Sequence, residues 1–220
     1  MTIDKIAAHT DRIPINVIIV YDKNNDDTIP VVKRIQNNYK FDITLIKNYY
    51  NKGVLNAIKT GFKAAKGRFV LVTMADLSDD PKNIKDMYRL MVKGYAVVCA
   101  SRYMKNGGQK GGSFIKRSFS RFIGLSLHYF TGIPTHDTTN NFKMYSKHFI
   151  DNTTIESIGG FELGMELTLK AYVSGYNITE IPTVWNDRTA GKSHFNFIGW
   201  APRYFKWYLY GMTNRPKRKI

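Results

Sequence analysis

Residues 68–81 read RFVLVTMADLSDDP, and this stretch decides the fold. Arg68 to Thr73 is a short, β-branched, apolar run, as expected of a strand buried on both faces. An acidic turn follows at once, carrying Asp76, Ser78, Asp79 and Asp80. Asp80-Pro81 then reads as a helix start, with Asp80 as N-cap and Pro81 in the first helical position. A strand that passes through an acidic turn into a helix is one unit of an α/β sheet.

Upstream, Asn16 to Tyr21 is a second buried-strand run, and Val31, Val32, Ile35 and Tyr39 recur at helical spacing. Asp42 to Ile46 reads as another strand. Leu55 to Lys66 reads as a helix with Ile58, Gly61, Phe62 and Ala65 on one face, and Gly67 stops it. Downstream, Ile84, Met87, Tyr88 and Met91 form a helical face closed by Gly94, and Val97 to Ala100 is the fourth strand. This alternation predicts a mostly parallel sheet flanked by helices, with ligands at the carboxyl ends of its strands.

The second half is less regular. Asn106 to Ser113 (NGGQKGGS) reads as a mobile loop, and a basic helix is expected from about Ile115 to Thr131. An edge-type strand at Phe142 to Tyr145, a helix from about Glu162 to Ser174 and a strand from Ile178 to Trp185 follow. No repeat or linker divides the chain. The expected organisation is one α/β domain over residues 1–195 and an aromatic, basic segment over 196–220.

The 33 Lys and Arg against 17 Asp and Glu give a formal charge of +16, which predicts an anionic partner. Nucleic acid, an anionic lipid surface and a phosphorylated substrate all satisfy that. Cys99 is the only cysteine, so no intrachain disulfide forms, and its apolar surroundings predict a buried, inert thiol. The opening MTIDKIAAHTDRIP lacks the apolar core of a signal peptide, and no run approaches the roughly 20 apolar residues of a membrane span. A cytosolic protein, or one bound to the cytosolic face of a membrane, is expected.

Asp76 stands before the cap residue, where a carboxylate at a strand end suits Mg²⁺ or Mn²⁺; Asp80 is read as the cap, and Asp79 either belongs to the same acidic ligand group or caps with it. Asp22 follows its strand in the same way and is either a contact for a base or ribose or a plain turn residue. Lys52-Gly53 precedes a helix whose backbone N–H groups could meet a phosphate. Arg102, Arg117, Arg121 and Arg188 sit at strand ends or in loops, which suits bidentate phosphate binding, although a solvated basic face accounts for any one alone. Glu162 and Glu166 share one helix face and are either a base and sugar-positioning pair or surface acids. None of the five histidines pairs at zinc-ligand spacing.

In this order the motifs resemble glycosyltransferase family 2, in its dolichol-phosphate mannose synthase-like, polyprenyl-phosphate branch. VIIVYDKNNDDT is similar to the family's nucleotide-binding strand and aspartate segment, NKGVLNAIKTGFKAAKG to its Gly-rich helix, and VTMADLSDDP to its DxD region. ASRY, DTTNNFKMYSK, GGFELGMEL and IPTVWNDRTAGKSHF match later blocks. The resemblance implies a GT-A fold, a GDP- or UDP-linked sugar donor, Mg²⁺ or Mn²⁺, and inversion at the sugar carbon. It implies that Asp22, Lys52, Gly53, Asn56, Ala75, Asp76 and Arg102 line the donor site, with Asp76 and Ser78 at the metal. Arg102, Arg117 and Arg188 would hold phosphates, with Glu162 and Glu166 beside the reacting groups. Two departures stand out: Met74 replaces the first aspartate of the DxD element, and the family's opening strand has no counterpart.

The expected activity is transfer of sugar to a polyprenyl phosphate at a membrane surface. Transfer to a cell-envelope saccharide, or a catalytically silent subunit completed by a partner chain or a further N-terminal piece, are the alternatives. Nucleic-acid binding is not expected, because the acids cluster at strand ends and no such motif is present. From Phe197 onward, Trp200, Tyr204, Trp207 and Tyr208 recur at helical spacing among Arg203 and Lys206. They are expected either to lie on a bilayer or to pack against the domain.

Overall fold

The computed structural model describes residues 2–187 and 197–216. The order begins α1 (Thr2–His9), β1 (Val17–Tyr21), α2 (Thr28–Ile35), β2 (Ile43–Lys47), α3 (Val54–Ala64) and β3 (Phe69–Val72). It continues with α4 (Ile84–Val92), β4 (Val97–Ser101), β5 (Gly108–Lys110), α5 (Phe114–Thr131), β6 (Lys143–Ser146) and α6 (Lys147–Asp151). α7 (Leu163–Val173), β7 (Ile178–Pro182), β8 (Val184–Asn186) and α8 (Phe197–Thr213) complete it.

The strands fall into three sheets: β1-β2, β3-β6-β4-β7 and β5-β8. β1 and β2 are parallel, as are β4 and β7, while β6 runs against both β3 and β4. β6 was expected at an edge and lies inside. Its misleading feature is Lys143, a charged residue that is nonetheless fully buried. Its ammonium donates to the carbonyls of Thr138 and Asn140, which lets a cation sit in the core. The Gly-rich stretch also holds a strand, because β5 pairs in parallel with β8.

β4 is flanked on both sides, and all five of its residues are buried. Around it, Phe62, Tyr145, Phe149, Leu163 and Leu167 pack on one face, and Met87, Met91, Phe142 and Ile181 on the other. α8 packs onto α5 and α7, and its Tyr204 and Trp207 are buried with Leu127, Met165 and Leu169.

The β1-β2 pair is tied to the four-stranded sheet through α3 and α7. Space at Gly160 is so tight that a Cβ there would meet the Leu55 nitrogen at 2.6 Å, so α3 begins against the loop that starts α7. The Gly164 N–H of α7 in turn donates to Asn141, two residues before the β6 residue that pairs with the last residue of β3.

Candidate active site

Three strand ends build the site. At the first, Asp22 follows β1, and its carboxylate accepts from the Asn48 amide at 2.8 Å and from the Gly53 N–H at 3.1 Å. The Gly53 N–H is therefore directed at Asp22, not at an incoming phosphate as expected. Gly53 has φ +122 with nothing near its Cβ position, so glycine is required there for backbone conformation alone. Asn56 donates to the Asn51 carbonyl at 2.6 Å and shapes the same loop, while Lys52 is exposed at its lip.

At the second, Asp80 caps the short 3-10 turn Pro81–Asn83 ahead of α4, as read from the sequence. Asp79 does not cap. It turns back to accept from the Thr73 hydroxyl at 2.9 Å and the Met74 N–H at 3.0 Å, tying the acidic turn to the end of β3. Burial pushes its carboxyl up to about 6, against the pull of those two hydrogen bonds, with the nearby Asp76 charge adding to the rise. Asp76 is half-buried beside the exposed Ala75 and accepts from the Ser78 N–H at 3.1 Å. Leu77 between them is held at φ +64, a left-handed conformation uncommon for leucine. Ser78 is buried, and its carbonyl accepts from the Asn186 N–H.

Among the described residues no group of three or more His, Cys, Asp or Glu could hold a metal unaided. A metal at this turn would take Asp76 as one of at most two such protein ligands. That fits Mg²⁺ or Mn²⁺, which keep waters and take further oxygens from a substrate diphosphate. Met74 adds no ligand of that type.

At the third, Arg102 follows β4. Its guanidinium grips the fully buried Asp137 through Nε at 2.7 Å and Nη2 at 3.0 Å, and Nη2 also donates to Thr139 at 2.9 Å. Burial alone would lower the arginine's pKa, but the adjacent Asp137 charge more than reverses that. Burial likewise opposes ionisation of Asp137, and Arg102 outweighs it, so Asp137 stays below the usual carboxylate range. Asp137 also accepts from the Asn140 N–H, which fixes the 137–140 turn. Sequence reading passed over Asp137. Its signal was a lone acid in DTTNNFK, downstream of an arginine at a strand end.

Beside this pair opens a cavity of about 480 Å³, lined by Arg102, Tyr103, Gln109, Phe114, Arg117 and Arg121 among others. The first turn of α5 forms one wall, so the positive end of that helix adds to the arginines. Gln109 Oε1 is buried and has no hydrogen-bond partner, an acceptor ready for a ligand hydroxyl.

A family model for glycosyl transferase family 2 matches residues 2–153. The chain belongs to that family. Among family 2 relatives, a dolichol-phosphate mannosyltransferase of Pyrococcus furiosus is 25% identical over 87% of this chain and 55% of its own length. An undecaprenyl-phosphate 4-deoxy-4-formamido-L-arabinose transferase of Aeromonas hydrophila is 26% identical over 68% of this chain and 45% of its own. A polyprenol monophosphomannose synthase of Mycolicibacterium smegmatis is 22% identical over 70% and 59%. The chain therefore spans about half the length of the curated relatives it matches. Glucosyl-3-phosphoglycerate synthase of Mycobacterium tuberculosis, solved with Mn²⁺, UDP-glucose and phosphoglyceric acid, superposes with a TM-score of 0.63. It is 12% identical and covers 100% of this chain and 86% of its own. That likeness establishes the GT-A fold.

Within this family 2 fold, two expectations change. Glu162 and Glu166 are fully buried, not surface acids, and their oxygens are occupied. Glu162 accepts from the N–H groups of Ile158, Gly159 and Gly160, and Glu166 from those of Glu156 and Ser157 and from Lys170. Carboxylates so engaged hold the 156–160 loop against α7, and neither is placed to act as a base. Arg188 lies outside the described residues. Asp22, Asp76, Arg102 and Arg117 all follow carboxyl ends of strands or line the cavity beside them.

Proposed function

We propose that this chain transfers a sugar from a nucleoside-diphosphate donor to a polyprenyl phosphate at the cytosolic face of a membrane. One observation carries the reading: the arginine-lined cavity opens beside an exposed apolar helix face. Phe114, Ile115, Phe122, Tyr129 and Phe130 of α5 are 64% to 74% exposed, with Lys116, Arg117 and Arg121 interleaved. An anionic headgroup in the cavity and acyl chains along that face would satisfy both features of a lipid phosphate. Among the described residues no helix is long and apolar enough to cross a membrane, so the contact proposed is peripheral.

In this reading Asp22 contacts the nucleotide, and Asp76, with Ser78 beside it, holds a divalent ion that offsets charge on the leaving diphosphate. Arg117 and Arg121 bind the acceptor phosphate, while Arg102, already committed to Asp137, fixes the cavity wall. The acceptor phosphate is ionised at neutral pH, so its oxygen attacks the anomeric carbon without a general base. The bond from that carbon to the donor phosphate breaks, and the nucleoside diphosphate leaves with the electron pair, inverting the sugar carbon. The names of the curated relatives support a polyprenyl phosphate as acceptor. Incubating the protein with Mn²⁺, labelled GDP- and UDP-sugars, and either polyprenyl phosphate or 3-phosphoglycerate tests this. Label extracted into organic solvent is expected; label confined to the water-soluble acceptor would contradict the reading.

A further inference from the structure

Two adjacent glycines in the loop ahead of α7 face opposite ways, one toward α8 and one toward α3. Gly159 has no positive φ, so backbone conformation does not demand glycine there; space does. The three atoms nearest a Cβ at 159 all belong to α8, Cζ3 and Cη2 of the Trp200 ring and Nη1 of Arg203, all within 2.5 Å. Gly160 has φ +114, and the three atoms nearest its Cβ position all belong to the first two residues of α3. They are the Leu55 nitrogen at 2.6 Å, Val54 Cγ1 at 2.7 Å and Leu55 Cα at 2.9 Å. Bare backbone is all that spaces α8 from the start of α3 here.

Both sides of this loop are fastened. The buried carboxylates of Glu162 and Glu166 take its N–H groups from Glu156 to Gly160, and such charge-assisted bonds are the stronger kind. From α8, the Tyr204 hydroxyl donates to the Phe161 carbonyl at 2.9 Å. The Trp200 ring meets Phe161 edge-on with centroids 4.8 Å apart, and the Arg203 guanidinium lies 4.5 Å from the Trp200 centroid. On the other side, Gly53 precedes α3 and donates its N–H to Asp22. An unbroken path of packed atoms and one hydrogen bond therefore runs from Trp200 through Gly159, Gly160 and Leu55 to Gly53 and Asp22. Close packing without voids passes a displacement along such a path.

We propose that Trp200, Gly159 and Gly160 are positioning residues, through which the seating of α8 sets the start of α3 and with it the Gly53–Asp22 contact where the nucleotide binds. That a nucleotide is the ligand rests on the function proposed above; the coupling of α8 to α3 does not. A side chain at 159 forces the loop and α8 apart. The Arg203 guanidinium ends a flexible side chain and swings clear, whereas the indole is held by Phe161 and by its own bulk. The loop gives way instead, and Gly160 carries the shift into Leu55. Removing the indole opens the space that the new Cβ needs, so the two changes compensate.

A size-swap cycle in the full chain tests the proposal, comparing wild type, Gly159→Ala, Trp200→Ala and the double variant. Each is titrated with UDP and with GDP in Mn²⁺, and exchange is followed at the Ala57 amide, which closes the first turn of α3 on the Gly53 carbonyl. Gly159→Ala should weaken nucleotide binding about tenfold, a misplacement effect, and speed Ala57 exchange to a similar degree, with β4 amides unchanged. The double variant should return to within about threefold of wild type in both readouts. Loss of the indole lowers the melting point of the double variant as well, so recovered binding there does not come from recovered stability. Effects that simply add, leaving the double variant worse than Gly159→Ala, would overturn the coupling. So would wild-type binding and wild-type Ala57 exchange in Gly159→Ala. If no form binds either nucleotide while Ala57 exchange still follows the swap, the coupling stands and the nucleotide assignment falls.

Discussion

The two halves of the candidate site are built to different standards of rigidity. Around Arg102 and Asp137, every partner is buried or nearly so, the ion pair is bidentate, and β4 beneath it is fully covered. Around Asp22, single hydrogen bonds from Asn48 and Gly53 tie together two half-exposed strands that no third strand supports. In low dielectric, paired charges lock geometry and are costly to disturb; near water, the same contacts are replaceable. The arginine half is thus a preformed mould for an anion. The Asp22 half, proposed to meet the nucleotide, is the more easily reshaped of the two.

Breaking Asp137 should show the largest effect on stability. Asp137→Ala leaves the Arg102 guanidinium buried and unpaired, which costs about 3–5 kcal/mol; urea denaturation measures it. The same pair predicts an acid limb. Because the folded pKa of Asp137 is lowered, its stabilisation is complete above the ordinary carboxylate range and is lost as pH falls through the lowered value. Asp137→Asn should flatten stability against pH in that acid region, and an unchanged slope would separate Asp137 from the rigidity of this half.

Next is the exposed apolar side of the same half, proposed above to face lipid. Replacing Phe114 and Phe122 together by serine should weaken association with anionic liposomes about tenfold or more, since each aromatic contributes roughly 1.5–3 kcal/mol when buried. Deleting residues 214–220 should matter less, as Tyr204 and Trp207 of α8 already face the core. The reverse ranking would move the membrane contact to the tail. Arg117→Ala should then raise KM for polyprenyl phosphate about tenfold, the loss of a charge-assisted hydrogen bond, with donor KM unchanged.

The smallest effect sharpens the contrast from the other side. Asp22→Ala removes two hydrogen bonds near solvent and should cost only about 1 kcal/mol of stability, while raising the donor KM. A stability loss equal to that of Asp137→Ala would erase the distinction between the halves.

Much of the fold was legible because local patterns were clean. The Val17–Tyr21 and Phe69–Val72 runs, the Asp80-Pro81 start and the Gly94 stop all report short-range physics, whereas α3 ends at Ala64, before the Gly67 expected to stop it. What was not legible depends on distant partners. Lys143 made an interior strand look like an edge, because its solvation comes from carbonyls in a turn the strand pattern does not show. Glu162 and Glu166 read as a base and sugar-positioning pair, or else as surface acids, because their partners are backbone N–H groups of a loop, which leave no mark on side-chain spacing. Asp22 and Asp76 were singled out from position alone, as polar residues after strands, and Asp137 was passed over because it follows none.

The most direct test compares wild type with Asp76→Ala, measuring sugar transfer to polyprenyl phosphate across a Mn²⁺ titration, with the thermal melting point of each recorded. If Asp76 supplies the protein carboxylate for the metal, wild type should turn over in a metal-dependent way. The variant should lose at least about a hundredfold in rate, some 2.7 kcal/mol, with its melting point little changed. Near-normal, metal-dependent transfer by Asp76→Ala would contradict the account.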